Sequence, residues 1–254
     1  MALIEAWSPY FLTPAAAPFA LPSDAGSVEE SLRQIRVRAQ ANNEPVVIDH
    51  MPAVLRLVGY GTDAVVVQHP GLPEHVFKVY TPQTTSCLED EYHSYAQLAG
   101  SPFFAACIGR GAFYLVLSYE AGPTLYECLL EGIVVDEQVM ADVEAARAYA
   151  RNVGLHPKDI HLKNVLVQGR RARIIDVSKY APPGDEDPVW EHLAEGYRRF
   201  YPLIRGRRIP LWVIELTKRT YRAQAKEQFS LDAFADRMLR VLRSLRIVGP
   251  AGTV

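Results

Sequence analysis

The stretch His156–Val167, which reads HPKDIHLKNVLV, carries more information about this chain than any other. It places Asp159 five residues before Asn164, directly ahead of a short apolar run. Twelve residues after Asn164, Asp176 ends a second apolar run. Carboxylate and amide oxygens suit Mg²⁺, and a carboxylate that does not bind metal can orient a hydroxyl and take its proton. These residue types are therefore candidates for binding a divalent metal and for orienting a hydroxyl group.

A glycine-containing segment lies about a hundred residues upstream. Leu57–Val66 reads LVGYGTDAVV and has the form G-x-G-x-x-A-x-V, with Gly59, Gly61, Ala64 and Val66 at the defined positions. A glycine has no Cβ, so its backbone can approach phosphate oxygens closely. This segment is expected to cover the phosphates of a nucleotide.

A lysine and a glutamate follow in the order that phosphate binding requires. Lys78 lies in the apolar run VFKVY, which is typical of a strand. Glu91 opens the pattern E-x-x-x-Y-x-x-L, completed by Tyr95 and Leu98. At about 3.6 residues per turn these three side chains share the core side of a helix, and Glu91 can face Lys78.

The segment Phe113–Leu125 reads as a strand, a connection and the start of a helix. Together, in this order, the segments resemble the protein-kinase superfamily, and the resemblance covers roughly Val54 to Tyr201. It implies an α+β, bilobal protein-kinase-like fold with a β-rich small lobe and a shortened helical large lobe.

The resemblance also implies a division of the chain. Residues 1–45 are expected to form an N-terminal arm and helix, residues 46–120 the small lobe, and residues 121–254 the shortened large lobe. Within the first part, Ser27 and Glu30 have the form of a capping box, which predicts a helix from Ser27 to about Ala41.

The family likeness assigns a role to each polar group. ATP is the implied cofactor, together with Mg²⁺ or Mn²⁺. Asp159, Lys78 and Glu91 are the expected catalytic residues, with Asp159 orienting the acceptor hydroxyl and Glu91 holding Lys78 against the phosphates. Asn164 and Asp176 are the expected metal ligands. The residues expected to contact the nucleotide are Gly59, Gly61, Ala64, Val66, Lys78, Leu117, Ser118 and Tyr119.

Several positions depart from the usual kinase pattern. Pro157 stands where most protein kinases have a histidine. His161 stands where serine/threonine kinases have a lysine, and a histidine at this position is familiar from aminoglycoside phosphotransferases. The metal triplet is Asp-Val-Ser, there is no Ala-Pro-Glu motif, and 78 residues follow Asp176. The run Ile175–Tyr180 and the H-P-x-D-I-H-L-x-N loop look most like a small group of bacterial serine/threonine kinases.

Three functions remain open at this point. The first is a bacterial serine/threonine protein kinase, with a protein favoured over a small molecule as the hydroxyl acceptor. The second is a small-molecule kinase similar to the aminoglycoside phosphotransferases, which His161 favours. The third is a nucleotide-binding pseudokinase scaffold, which Pro157 and Ser178 favour. The plainest alternative is that Asp159 and Asn164 merely form turns.

Composition limits the compartment. The chain has 254 residues, of which 49% are hydrophobic and 22% charged, an ordinary globular balance. It contains no run of about 18 or more apolar residues that would span a membrane, and residues 1–20 lack the basic residues of a secretory signal. Three widely spaced cysteines indicate reduced thiols rather than disulfides. These features predict a cytoplasmic protein.

Charge is unevenly distributed along the chain. Residues 1–150 carry a net charge of −11 and residues 151–254 a net charge of +9. The basic residues cluster at Arg205–Arg208, at Lys218–Arg219 and at every third residue from Arg237 to Arg246. A solvated helix face would explain this pattern, and an acidic partner docked on the basic C-terminal half is the functional interpretation.

Overall fold

The computed structural model describes residues 26–41, 44–180, 188–223 and 231–244. The chain forms two compact units. The first, here called the β-rich unit, runs to Glu120 and also contains Ala145–Lys158 and the segment that begins at Ile174. The second, here called the helical unit, contains Ala121–Glu144, Asp159–Arg173 and the segment that begins at Asp185.

A five-stranded antiparallel sheet forms the centre of the β-rich unit. Three shorter elements precede it: α1 (Gly26–Arg33), β1 (Arg36–Arg38) and β2 (Val47–His50). The sheet consists of β3 (Arg56–Tyr60), β4 (Ala64–Gln68), β5 (His75–Tyr80), β6 (Cys107–Arg110) and β7 (Tyr114–Ser118), in the spatial order β3-β4-β5-β7-β6. Helix α2 (Thr85–Gln97) connects β5 to β6.

The side chains of strand β5 point alternately to the two faces of this sheet. Because successive side chains of a strand point to opposite faces, Phe77 and Val79 lie on one side and Lys78 and Tyr80 on the other. Phe77 and Val79 belong to an apolar core that also contains Leu32 of α1. The N-terminal helix therefore covers the face of the sheet opposite Lys78.

The predicted helix from Ser27 to Ala41 is wrong in its length. Helix α1 ends at Arg33, and the next residues form β1, which pairs antiparallel with β2. The segment QIRVR alternates polar and apolar residues, a period of two that suits a strand. Ile35 and Val37 are partly buried against the core as a result.

Seven further elements follow β7 in the described residues. They are α3 (Leu125–Glu131), α4 (Glu137–Asn152), β8 (Val165–Gln168), β9 (Arg171–Ile174), α5 (Val189–Ile204), α6 (Leu211–Ala223) and α7 (Leu231–Ser244). Strands β8 and β9 form a hairpin across Gly169, whose φ of 64° is left-handed and suits glycine.

The five-stranded sheet of the first unit and the helices of the second confirm the predicted α+β fold with a β-rich unit and a short helical unit. The domain bounds at residues 45 and 120 stay a prediction. Within the described ranges, no helix is long and apolar enough to cross a membrane. All three cysteines are free; Cys128 is buried and Cys87 and Cys107 are half-buried.

Candidate active site

Lys78 and Glu91 form a buried ion pair. The Lys78 ammonium lies 2.8 Å from Oε1 and 2.7 Å from Oε2 of the Glu91 carboxylate. Strand β5 supplies the lysine and helix α2 the glutamate, which has no exposed surface. Lys78 Nζ also lies 3.3 Å from Oδ2 of Asp176. The predicted contact between Lys78 and Glu91 is therefore made, and Asp176 joins it.

The charge states of this cluster follow from burial and from the donors present. Burial opposes the charge on Lys78, but the carboxylates of Asp176 and Glu91 outweigh it and raise the lysine pKa. Burial also raises the pKa of Glu91, against the opposing effect of Lys78. Since Lys78 donates to both oxygens of Glu91, the geometry fits a charged pair.

Tyr80 is a further member of the cluster. Its hydroxyl donates to Oε2 of Glu91 at 2.5 Å, and the residue is buried. Burial and the adjacent carboxylate of Glu91 raise the pKa of this hydroxyl, so it keeps its proton and remains a donor. The Glu91 carboxylate thus accepts hydrogen bonds from two side chains of strand β5.

Asp176 follows β9 at the point where the chain leaves the hairpin. Its Oδ1 accepts a hydrogen bond from the Ser178 amide at 2.9 Å, which fixes the orientation of the carboxylate. Burial raises the pKa of Asp176, but Lys78 and the Ser178 amide outweigh burial and lower it overall. Because 39% of the side chain is exposed, an ionised carboxylate remains accessible to a ligand.

Helix α2 makes a second contact with this segment. The hydroxyl of Tyr95, one helical turn after Glu91, donates to the carbonyl of Ile175 at 3.1 Å. Ile175 directly precedes Asp176. The helix that carries Glu91 is therefore connected to the backbone that carries Asp176.

The glycine segment turns tightly between β3 and β4. The Gly61 amide donates to the carbonyl of Ala64 at 2.9 Å. Neither Gly59 nor Gly61 has a left-handed φ, and an added Cβ at either residue would meet no atom within 4 Å. Neither backbone conformation nor packing requires glycine at these positions, which fits a backbone that a ligand approaches.

The sheet presents the expected nucleotide-contacting residues on the face that carries Lys78. Val66 lies directly opposite Lys78, and Ala64 opposite Tyr80, in the β4–β5 pairing. Leu117 lies opposite Val76 in the β5–β7 pairing, and it is buried. Since residues directly opposite each other share a face, these apolar side chains surround the lysine.

Ser118 is the last residue of β7, and Tyr119 follows it. The Ser118 amide donates to the carbonyl of Ala106 at 2.8 Å, and the Tyr119 amide donates to that of Glu74 at 2.8 Å. Both amides are thus used within the β-rich unit. A base bound at Ser118 or Tyr119 would contact their carbonyls or side chains.

The helical unit contains the loop from Asp159 to Asn164. Asp159 has a φ of 57°, the left-handed region that aspartate and asparagine tolerate better than most residues. The Asn164 amide donates from Nδ2 to the Asp159 carbonyl at 2.7 Å, and its Oδ1 accepts from the His161 amide at 2.9 Å. One lone pair of Asn164 Oδ1 remains for a further partner.

His161 and Lys163 take different orientations in this loop. His161 Nδ1 accepts a hydrogen bond from the Lys163 amide at 3.2 Å, and its Nε2 lies 3.8 Å from Oδ1 of Asp159. The Lys163 ammonium lies 4.6 Å from the centre of the Tyr126 ring. Lys163 therefore contacts Tyr126, and His161 is the basic side chain beside the Asp159 carboxylate.

A main-chain contact secures the segment that contains Pro157. The His156 amide donates to the carbonyl of Tyr180 at 3.0 Å, and the Tyr180 ring packs edge-on against Phe104. Tyr180 is fully buried. The segment next to Pro157 is thus held by backbone and aromatic packing instead of the side chain of a histidine.

The predicted site residues therefore fall into two groups. Lys78, Glu91 and Asp176 come together in the β-rich unit, and Asp159 and Asn164 come together in the helical unit. In the β-rich unit, the buried ammonium, the accessible carboxylate and the unobstructed glycine backbone fit a nucleotide with a divalent cation. In the helical unit, the side-chain oxygen of Asn164 is a ligand type that suits such a cation.

Sequence reasoning missed Tyr80 and Tyr95 as members of the site. The signals were present, since Tyr80 lies two residues after Lys78 on the same strand face and Tyr95 lies four residues after Glu91 on the same helix face. What the sequence lacks is the direction of each hydroxyl.

A surface of the helical unit combines apolar and basic side chains. On α6, Leu211 and Trp212 are 56% and 52% exposed, and Leu216 is also exposed. Val213 and Ile214, on the opposite face, are buried with Leu242 of α7. The exposed basic residues nearest in sequence are Arg207, Arg208, Lys218 and Arg219, and the exposed acidic Glu215 lies on the same helix. We call this the α6 surface.

An antiparallel five-stranded sheet with a lysine held by a helix glutamate is the arrangement of the protein-kinase-like fold. Over 187 residues the chain is 30% identical to "Putative serine/threonine-protein kinase YrzF" of Bacillus subtilis (strain 168), covering 69% of this chain and 86% of that protein. The chain belongs to this kinase family. No family model matches it.

Solved structures similar to this chain are kinase domains. One is a mutant PknI kinase domain of Mycobacterium tuberculosis, with 19% identity, a TM-score of 0.44, and coverage of 74% of this chain and 95% of that chain. Another contains the Rad53 kinase domain and SCD2, with 13% identity, a TM-score of 0.41, and coverage of 50% and 51%. Since both TM-scores lie below 0.5, the family assignment rests on the Bacillus subtilis relative.

Proposed function

We propose that the protein is an ATP-dependent serine/threonine protein kinase, which transfers the γ-phosphoryl group of ATP to a hydroxyl of a protein. The observation that carries this proposal is the buried cluster of Lys78, Glu91 and Asp176. A buried ion pair contributes little net stability, so its placement calls for a functional reason. The name of the Bacillus subtilis relative gives further support for a kinase acting on serine or threonine.

The β-rich unit binds the nucleotide in this proposal. Lys78, oriented by Glu91, contacts the α- and β-phosphates, and the backbone at Gly59 and Gly61 covers the phosphate oxygens. The apolar side chains beside Lys78 and the residues at the end of β7 hold the base. These nucleotide contacts are assigned to Ala64, Val66, Leu117, Ser118 and Tyr119.

Asp176 and Asn164 are the proposed ligands of Mg²⁺ or Mn²⁺. An ionised carboxylate and an amide oxygen suit a hard divalent cation. When bound, the cation neutralises charge on the phosphates during transfer. The Ser178 amide holds the Asp176 carboxylate in one orientation, and the lowered pKa of Asp176 keeps it ionised at neutral pH.

Asp159 is the proposed catalytic residue for the acceptor. Its carboxylate accepts a hydrogen bond from the acceptor hydroxyl and takes the proton as the oxygen attacks phosphorus. The side-chain contact of Asn164 with the Asp159 carbonyl supports the left-handed backbone that directs this side chain.

A protein acceptor is favoured by the α6 surface. An exposed Trp212 with two exposed leucines is an apolar patch of the kind that protein partners cover. The basic residues around it suit an acidic segment, so we propose that an acidic, partly apolar segment of a partner protein docks here. The exposed arginines Arg237, Arg240 and Arg243 of α7 extend the basic charge of this unit.

A small-molecule kinase is the alternative that a specific observation favours. The His161 imidazole lies beside the Asp159 carboxylate, where protein kinases place a lysine. A basic surface does not suit a cationic acceptor such as an aminoglycoside. Anionic or neutral metabolites are therefore the class to include in a test.

The test is transfer of labelled γ-phosphate from ATP with Mg²⁺ to three panels: acidic proteins, basic proteins and small hydroxyl metabolites. A protein kinase labels serine or threonine in acidic proteins, and Asp159→Asn loses this labelling. The variant Trp212→Ala should lose labelling of acidic proteins while keeping ATP affinity. Labelling confined to metabolites would replace the proposal with the alternative, and ATP binding without any transfer would indicate a scaffold.

A further inference from the structure

The Glu91 carboxylate is held by Tyr80 as well as by Lys78. The Tyr80 hydroxyl donates to Oε2 at 2.5 Å, the same oxygen that Lys78 approaches at 2.7 Å. Both donors are on one face of β5, two residues apart, while Glu91 comes from α2. A phenol hydroxyl with a raised pKa does not compete with Lys78 for charge.

Lys78 has two carboxylates within reach. Its ammonium lies 2.7 Å from Glu91 and 3.3 Å from Asp176. If Glu91 could rotate or withdraw with its helix, the ammonium would follow the attraction of Asp176 instead. Among the described contacts, the Tyr80 hydroxyl donates to Glu91 and not to Asp176. It therefore favours the arrangement in which Lys78 is paired with Glu91.

We propose that Tyr80 is a positioning residue for phosphoryl transfer, whose hydroxyl orients Glu91 and thereby fixes the direction of the Lys78 ammonium. This inference rests on the proposed role of Lys78 in binding phosphate. The Tyr95 hydroxyl anchors the same helix to the Ile175 carbonyl one turn later. Two tyrosine hydroxyls thus hold α2 where Glu91 can reach Lys78.

The test is Tyr80→Phe, which removes the hydroxyl and keeps the ring. Isothermal titration calorimetry with ATP, ADP and adenosine, each with Mg²⁺, measures affinity. We expect about a tenfold or greater loss for ATP and ADP, since hydrogen bonds to charged groups are among the stronger ones. Adenosine has no phosphate for Lys78 to contact, so its affinity should not change.

The matched control is Tyr114→Phe. Tyr114 is also a buried tyrosine of this sheet, but it lies in the apolar core on the opposite face. Its substitution should leave all three affinities unchanged. If Tyr80→Phe weakens adenosine as much as ATP, its role is structural only, and the inference is overturned. Equal affinities for the variant and the native protein would overturn it too.

A double-mutant cycle asks whether Tyr80 acts through Glu91. In the Glu91→Ala background, Tyr80→Phe should cause no further loss of ATP affinity, because the residue it positions is absent. An additive loss would show that Tyr80 acts elsewhere and would sink the inference. Lys78→Met distinguishes the proposed role of Lys78 from that of Tyr80. If Lys78→Met binds ATP normally, the proposed role of Lys78 fails. If Lys78→Met loses ATP affinity and Tyr80→Phe does not, only the role of Tyr80 is removed.

Discussion

The side-chain amide of Asn164 donates to the main-chain carbonyl of Asp159 at 2.7 Å, across a loop in which Asp159 has a left-handed backbone. The proposed metal ligand therefore also stabilises the backbone of the proposed catalytic residue. Substitution of Asn164 would disturb both at once, so it cannot separate the two roles. Substitution of the Asp159 side chain can, because it leaves the carbonyl and the amide contact in place.

Asp159→Asn should reduce phosphoryl transfer by about a hundredfold or more, the usual contribution of a general base. Asparagine tolerates a left-handed φ as well as aspartate does, so the loop should keep its conformation. ATP affinity should stay nearly unchanged, since the carboxylate contacts the acceptor in our proposal. Transfer rate and ATP affinity, measured on the same preparation, check this prediction.

A variant that keeps near-native turnover would remove Asp159 from the mechanism. The exposed Asp49 of β2, which pairs with Arg38, offers a matched control. Asp49→Asn makes the same chemical change far from the loop in sequence and should leave both the rate and the affinity as they are.

Lys78→Met should abolish detectable ATP binding and lower the free energy of unfolding by about 3 kcal/mol. The loss of stability arises because the buried Glu91 carboxylate loses its cation. Glu91→Ala should weaken ATP binding less, since Lys78 keeps Asp176 as a partner at 3.3 Å. Chemical denaturation and calorimetric titration measure the two effects.

Arg38→Met is the control for loss of a cation, because the Arg38–Asp49 pair is exposed and such pairs contribute little. Native ATP affinity in Lys78→Met, with the protein folded, would contradict the assignment of this lysine to the phosphates.

The sequence predicts the order of the elements better than it predicts the N-terminal region. The pattern E-x-x-x-Y-x-x-L identifies the helix that carries Glu91, because a helical period and a family motif agree there. The segment after Arg33 has two competing signals: a capping box that starts a helix, and an alternation in QIRVR that suits a strand. Pairing of β1 with β2 and burial of Ile35 and Val37 decide in favour of the strand.

Some contacts of the candidate site are predictable from the sequence and others are not. The contact of Lys78 with Glu91 is predictable, since opposite charges at the required spacing on a strand and a helix have one favourable arrangement. The hydrogen bonds of Tyr80 and Asn164 are not, because each side chain has several rotamers and tertiary packing selects one. The left-handed backbone of Asp159 also depends on its neighbours, and aspartate alone does not require it.

Saturating ATP should raise the melting temperature more when Mg²⁺ or Mn²⁺ is present than when it is absent. A ligand that binds the folded state stabilises it by about 2.7 kcal/mol at a hundredfold excess over its Kd, so a metal-dependent gain in affinity appears as an added shift. Asp176→Asn should remove the added shift, and Asp49→Asn should keep it. Identical shifts with and without metal in the native protein would contradict a metal-assisted site.

Two of the cysteines should react slowly with alkylating agents near neutral pH. Burial raises the pKa of the Cys107 thiol to about 12 and that of Cys128 to about 11. The thiolate is the reactive form, and about one in ten thousand Cys107 side chains is a thiolate at pH 8, so its labelling rate is low. Each rate should rise about tenfold per pH unit between pH 8 and pH 10. Mass spectrometry after timed iodoacetamide labelling measures these rates, and fast labelling of Cys107 at pH 8 would contradict the burial described.

Activity should not depend on phosphorylation of a loop between the metal-binding segment and the helical unit. Strand β9 ends at Ile174 and α5 begins at Val189, which leaves few residues for such a loop, and residues 181–187 lie outside those described. Ser178 is the hydroxyl next to the site, and its amide already donates to Asp176. A phosphate there would place negative charge beside the Asp176 carboxylate and should inhibit. Phosphatase-treated protein should therefore keep the native rate, while Ser178→Glu should lose affinity for ATP with Mg²⁺. A large loss of activity on phosphatase treatment, restored by rephosphorylation, would show that a phosphorylated residue controls the enzyme.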